Sequence, residues 1–189
     1  METIAKSKFL DFKSAKSPSG SDWYYVKRTN DSDKHDSAVV ITVLVKIEKE
    51  YNFLFLKTKR PPIYAENKAE FCIESPAGLI GDIDSAETLR ECSEKELLEE
   101  TGLVAKEVYT ELLNSSTSAG LSSETLSYVT AVVEDYKIIE KPVSDGGIIA
   151  DRFFVPVKDI RKFLSEIDTK KYSVAAATVC GIYFAMNRI

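Results

Sequence analysis

The chain has 189 residues, 44% of them hydrophobic and 29% charged, ordinary proportions for a globular protein that buries one core. Its 25 basic and 30 acidic residues leave a net charge of −5, which offers no general attraction to nucleic acid or an anionic membrane, so neither is expected as a partner. The first residues lack a signal-like apolar run and no later stretch approaches the roughly eighteen apolar residues of a membrane span, from which a soluble cytoplasmic protein is expected.

In chain order, Lys6–Phe12 and Trp23–Thr29 read as a polar antiparallel strand pair joined by the turn-forming Ser17-Pro18-Ser19-Gly20. Such a pair is too weak to stand alone and should pack on something. His35, the single histidine, sits in the polar run Asn30–Ser37 and is expected to be an exposed loop residue, which leaves histidine triads and relays without material. Any chemistry must then rest on carboxylates, arginines and a hard metal ion.

The β-branched run Ala38–Ile47 and the alternating Tyr51–Thr58 predict two strands, with Ala69–Glu74 as a third. Between them Arg60-Pro61-Pro62 predicts an extended loop. Ser85–Thr101 predicts a helix, with Ser85 as N-cap and Gly102 as its left-handed stop. Strands follow at Val104–Leu113, Leu126–Val133 and Phe153–Val157, and helices at Asp159–Ile167 and Tyr172–Asn187. Cys72, Cys92 and Cys180 are odd in number, widely spaced and set among apolar residues, which predicts reduced core or near-core thiols. The alternation of strands with well-separated helices reads as α/β or α+β.

At about 100° per residue, Glu96, Glu99 and Glu100 fall within an arc of roughly 100°, on the side that also carries Leu89 and Cys92. Three like charges at such spacings repel, so something positive should sit there. Clustered carboxylate oxygens suit Mg²⁺, which bridges readily to substrate phosphates. The plainer alternative is a solvated acidic helix end neighboured by Lys95 and Arg90.

Residues 81–103, GDIDSAETLRECSEKELLEETGL, resemble the Nudix box, Gx5Ex7REUxEExGU with U aliphatic. Gly81, Glu87, Glu96, Leu97, Glu99, Glu100, Gly102 and Leu103 agree in residue and spacing, while Lys95 stands in place of the arginine. The resemblance implies an α/β/α sandwich with a mixed sheet. It also implies divalent metal, magnesium or alternatively manganese, held by Glu96, Glu99 and Glu100, and water attacking a diphosphate.

Outside the box, KRPPIYAENKAEFCIESPAG (residues 59–78) and WYYVKRT (residues 23–29) resemble ADP-ribose and ADP-sugar pyrophosphatases. That resemblance implies Glu74 and the Ala77 carbonyl at the metal and phosphate site, with Gly78 completing the PAG segment. It further implies Arg60 on the diphosphate, Arg28 on the ligand or its ribose phosphate, and Trp23 stacked on adenine across a homodimer. Ser118–Glu124 resembles the family's ribose-side loop, with Glu124 a candidate contact. The division implied is residues 1–36, a strand pair on the dimer and adenine side, and residues 37–189, the Nudix hydrolase domain.

Three departures stand out. Counted from Gly78, the distance to Lys95 is three residues longer than the box spacing, which is read as an insertion in Leu79–Ser85 with Gly78 keeping its place. Lys95 keeps charge but loses the planar guanidinium fork. The family's late loop glutamate is absent, leaving Asp145 or Asp151 as the only substitutes, with Asp151 and Lys95 grouped with the three glutamates as catalytic candidates. The expected reaction is hydrolysis of ADP-ribose or a related ADP-sugar to AMP and a sugar phosphate. The alternatives are another nucleoside diphosphate derivative as substrate, or a Nudix module that binds ADP-ribose without turnover.

Overall fold

The computed structural model describes residues 1–28, 37–81, 86–137, 142 and 148–189. His35, Ser85, Asp145 and residues 82–85 of the expected insertion lie outside the described residues.

Strands β1 (Glu2–Lys6), β2 (Leu10–Lys16) and β3 (Asp22–Arg28) form a small antiparallel sheet. The expected pair is present as β2 with β3, and β1 is added in front of it. The expected single strand Lys6–Phe12 is broken by a turn in which the Ser7 hydroxyl donates to Leu10 O and accepts from Leu10 N–H, both at 2.8 Å. A short serine side chain that bonds nearby backbone competes with the strand ladder and folds the chain back.

The second sheet has eight strands: β4 (Ser37–Ile47), β5 (Glu50–Thr58), β6 (Phe71–Glu74), β7 (Ala77–Leu79), β8 (Glu107–Ser116), β9 (Thr125–Val133), β10 (Ile149–Pro156) and β11 (Tyr172–Val174). Its main order is β11-β6-β5-β4-β9-β8, with β10 on β5 and β7 on β4. β4/β9 and β11/β6 run parallel and the remaining pairs antiparallel, so the sheet is mixed. Helices are α1 (Pro61–Asn67), α2 (Leu89–Thr101), α3 (Ile160–Glu166) and α4 (Ala176–Ala185).

Because strand side chains alternate, β4 feeds two cores. Val39, Ile41, Val43 and Val45 pack with Cys92, Leu97 and Leu103 on the α2 side. Leu44 packs with Phe53, Phe55, Ile160 and Ile182 on the α3 and α4 side. The result is an α/β/α sandwich around a mixed sheet. Among the described residues no helix is long and apolar enough to cross a membrane.

Three local expectations are corrected. Arg60-Pro61-Pro62 opens a helix: Arg60 is extended, as a residue before proline must be, and the prolines occupy the first helical positions, where a missing N–H loses no bond. Helix α2 begins at Leu89, with Thr88 as N-cap in a reciprocal capping box with Glu91, and it ends at Gly102 with φ 73°. The closing helix begins at Ala176, because Tyr172–Val174 is drawn into parallel pairing with Phe71–Ile73.

Candidate functional site

One edge of β5 changes partner along its length. Leu54 and the residues before it pair with β4, while Leu56, Lys57 and Thr58 pair with β6. The two neighbours therefore splay apart, and the chain between β6 and β7 crosses the gap: Ile41 N–H donates to Pro76 O at 2.8 Å before Ala77 joins β4 opposite Val40. At the splay lies a cleft of about 80 Å³ lined by Arg60, Glu74, Ser75, Ala77, Glu100 and Thr178, among others.

The two carboxylates in the cleft are each held by a definite neighbour. Glu74 Oε2 accepts from Arg60 Nε at 2.9 Å and from the Thr58 hydroxyl at 2.7 Å. Glu100 Oε2 accepts from Ala77 N–H at 3.1 Å. One turn earlier on the same helix face, the Glu96 carboxyl lies against the Gly78 backbone, where a Cβ would fall 2.2 Å from Glu96 Cδ. Any side chain there would have to displace that of Glu96. Four of the residues singled out in the sequence, Arg60, Glu74, Ala77 and Glu100, thus line one cleft, with Glu96 and Gly78 beside it.

The positive charge expected near the acidic face comes from Lys95 and from Arg152, while Arg90, the other basic neighbour in the sequence, pairs with Glu94 at 2.8 Å. Lys95 Nζ lies 3.0 Å from Glu87 Oε1 and 3.5 Å from Glu96 Oε1. Burial pushes the Glu87 carboxyl upward, but the Gly81 N–H at 3.0 Å and the Lys95 ammonium outweigh it and hold the group below the usual carboxylate range. The two glycines therefore have separate tasks: Gly81, with φ 77°, donates to Glu87, and Gly78 makes room for Glu96.

Arg152 went unnoticed in the sequence. It projects from β10, donates from Nε to the Glu100 carbonyl, and supplies the basic group that the last turn of α2 lacks. Burial lowers its pKa while the Glu100 and Asp151 carboxylates oppose that shift.

Not all the candidates converge. Glu99 is exposed on α2. Asp151, although adjacent to Arg152, lines a different cavity of about 270 Å³ with Lys57, Phe153, Phe163 and Tyr172. Trp23, Arg28 and Glu124 form a group of their own: the Trp23 indole donates to Gly120 O at 2.9 Å, and Arg28 Nε pairs with Glu124 Oε1 at 2.8 Å. Val26 of β3 bonds to Leu121 and Ser123, so the small sheet is fastened to the Ser118–Glu124 loop. That loop leads into Thr125 opposite Ser37, the end of β4 that also carries β7.

Among the described residues no three His, Cys, Asp or Glu side chains lie close enough to share a metal ion. The donors that do converge are oxygens: the carboxylates of Glu96 and Glu100 beside the Ala77–Gly78 backbone. This fits magnesium, which commonly takes one or two carboxylates and completes its shell with water and substrate phosphate.

No protein-family model matches the chain. An uncharacterised Nudix hydrolase of Schizosaccharomyces pombe is 28% identical over 163 residues, covering 80% of this chain and 71% of the relative. A solved ADP compounds hydrolase superposes with a TM-score of 0.63 at 16% identity, over 99% of this chain and 90% of its own. The chain has the Nudix fold. The NUDIX domain of Shewanella oneidensis NrtR, complexed with ADP ribose, superposes with a TM-score of 0.55 at 15% identity, over 83% of this chain and 90% of that one. Helix α2 carries the segment that resembles the Nudix box, and Glu96 and Glu100 on it face the backbone of Ala77 and Gly78.

The three thiols are free. Burial pushes Cys92 up to about 12 and Cys72 to about 11, so both are inert core groups. Cys180, expected at or near the core, is instead exposed, because it lies on the solvent side of α4.

Proposed function

We propose that this Nudix protein hydrolyses the diphosphate of ADP-ribose, or a closely related ADP-sugar, to AMP and a sugar phosphate. The observation that carries the reading is the convergence of Arg60, Glu74, Ala77 and Glu100 on one cleft, with Glu96 alongside. Two fold neighbours, one an ADP compounds hydrolase and the other complexed with ADP ribose, support the choice of ligand class.

In this reading Glu96, Glu100 and the Ala77 carbonyl hold Mg²⁺ or Mn²⁺, with Glu99 joining from the helix surface. The bound ion supplies positive charge to the non-bridging oxygens and acidifies the attacking water. Arg60 exchanges Glu74 for the diphosphate, presenting its donors as a fork. Lys95 keeps Glu87 and Glu96 in place. Trp23, its indole N–H already engaged and the residue 54% exposed, offers a stacking face for adenine, and Arg28 and Glu124 flank the ribose side. A second copy of the chain covers the small sheet, on which Phe9, Phe12, Trp23 and Tyr24 are exposed.

The test is AMP release from ADP-ribose with Mg²⁺, using Glu100→Gln as control. AMP from wild type alone is expected. ADP-ribose binding without AMP favours a binding module instead, and activity confined to other nucleoside diphosphate derivatives moves the substrate assignment.

A further inference from the structure

We propose that Thr178 of α4 is a positioning residue that fixes the Glu74–Ala77 segment against Glu100 and thereby sets the affinity of the cleft for a divalent cation; this rests on the metal-dependent reading of the cleft. The segment carries two cleft groups and belongs to no long strand. Besides the pairing of Glu74 with Leu56 and of Ala77 with Val40, its backbone and that of Ile73 just before it are held at four points: Ala175 N–H on Ile73 O, Ser75 N–H on the Thr178 hydroxyl at 2.8 Å, Ile41 N–H on Pro76 O, and Ala77 N–H on Glu100. Pro76 contributes no donor. The Ser75 hydroxyl is buried and has no hydrogen-bond partner among the described residues, so this residue is tied down through its main chain.

Of those four holds, the one from Thr178 is the only one that α4 makes with a side chain, and it comes from a hydroxyl that is 1% exposed. Thr178 also lines the cleft beside Ser75. In Thr178→Val a methyl group takes the place of the acceptor and leaves the Ser75 N–H unpaired, and a shift of the segment away from Glu100 is the way it regains a partner. Thr178 acts through Ser75, in the way that supporting hydrogen bonds orient metal ligands elsewhere.

The experiment titrates Mn²⁺ into wild type, Thr178→Val and Thr178→Ser, reading free Mn²⁺ by electron paramagnetic resonance, alongside AMP release from ADP-ribose and thermal unfolding. Thr178→Val keeps the shape and loses the acceptor; Thr178→Ser keeps the acceptor. The expected result is a loss of about tenfold or more in Mn²⁺ affinity for the valine variant, recovered largely by serine. Arg188→Gln, just beyond the C-terminal end of α4, should leave Mn²⁺ affinity unchanged. Unaltered Mn²⁺ affinity in Thr178→Val overturns the proposal, as does an equal loss in Arg188→Gln, which would trace the effect to helix packing. Should the valine variant not fold, Thr178→Cys, a weaker acceptor of similar size, carries the same comparison. Wild type that binds Mn²⁺ yet releases no AMP removes the pyrophosphatase reading and leaves the affinity comparison decisive; wild type that binds no Mn²⁺ overturns both.

Discussion

Replacing Gly78 with alanine places a methyl group 2.2 Å from Cδ, 2.3 Å from Oε1 and 2.4 Å from Cγ of Glu96. Carbon atoms rest at about 3.5–4.0 Å, so the Glu96 side chain must be displaced by more than about 1 Å. Gly78 is not among the glycines with positive φ, so the alanine backbone itself is unstrained and the clash is the whole effect. Forcing extra volume into a packed position costs about 1–3 kcal/mol, and here it also moves a carboxylate off Lys95. Urea unfolding should show Gly78→Ala destabilised by that amount with an unchanged slope, and AMP release should fall with it. The decisive comparison is a cycle with Glu96→Ala, which removes the obstructing atoms: in that background Gly78→Ala should cost little. Losses that simply add, to within about 0.5 kcal/mol, would refute the claim that Gly78 exists to make room for Glu96.

Thr88→Ala removes the side-chain half of the capping box on α2, leaving the backbone N–H of residue 88 on Glu91, and should lower stability by about 1 kcal/mol in thermal or urea unfolding; an unchanged midpoint would mean that α2 starts elsewhere. A maleimide added to native protein at neutral pH should modify Cys180 alone, since burial raises Cys72 to about 11 and Cys92 to about 12, and mass spectrometry of the digested product checks this directly. For Glu111, burial pushes the carboxyl up, but the Arg188 guanidinium at 2.9 and 3.0 Å pulls it below its ordinary range. A lowered folded-state pKa contributes stability above the unfolded value and loses it as pH falls through the folded one. The melting-temperature gap between wild type and Glu111→Gln should thus be present at neutral pH and close on acidification; a pH-independent gap would assign the loss to packing.

What could be read locally, and what could not, divides along a physical line. The run Ala38–Ile47 was legible as a strand because eight consecutive positions, Ala38–Val45, are buried, which favours a run that is apolar but for Thr42. Gly102 was legible as a stop because its role is confined to one turn. Thr88 was legible too: it precedes Glu91 by three, the capping-box spacing, whereas Ser85 has Thr88 at that position. The prolines after Arg60 carried a helix-start signal that competed with a loop signal in the same residues. Tyr172–Val174 could not be read from its neighbours, because its strand state is conferred by Phe71–Ile73, a hundred or so positions earlier. Arg152 and Thr178 share that difficulty. Each is ordinary in its own element and acquires meaning only through what the sheet and α4 bring opposite it.

That last point bears on how the acidic helix can exist. Glu96, Glu99 and Glu100 repel one another by some tenths of a kcal/mol per pair when exposed and by more when desolvated, and α2 has no basic residue in its last turn. The compensation comes from three directions. Lys95, on the helix itself, lies between Glu87 and Glu96. The backbone N–H of Ala77 meets Glu100 from β7. Arg152 meets the helix terminus from β10, against the carbonyl and within the field of the carboxylate of that same glutamate. Glu96 and Glu100 therefore have local partners in the protein itself, while Glu99 stays in solvent where its charge is screened. A cation binding at Glu96 and Glu100 must compete with a lysine and a main-chain donor, so phosphate oxygens arriving with it should tighten a binding that the protein alone already supports.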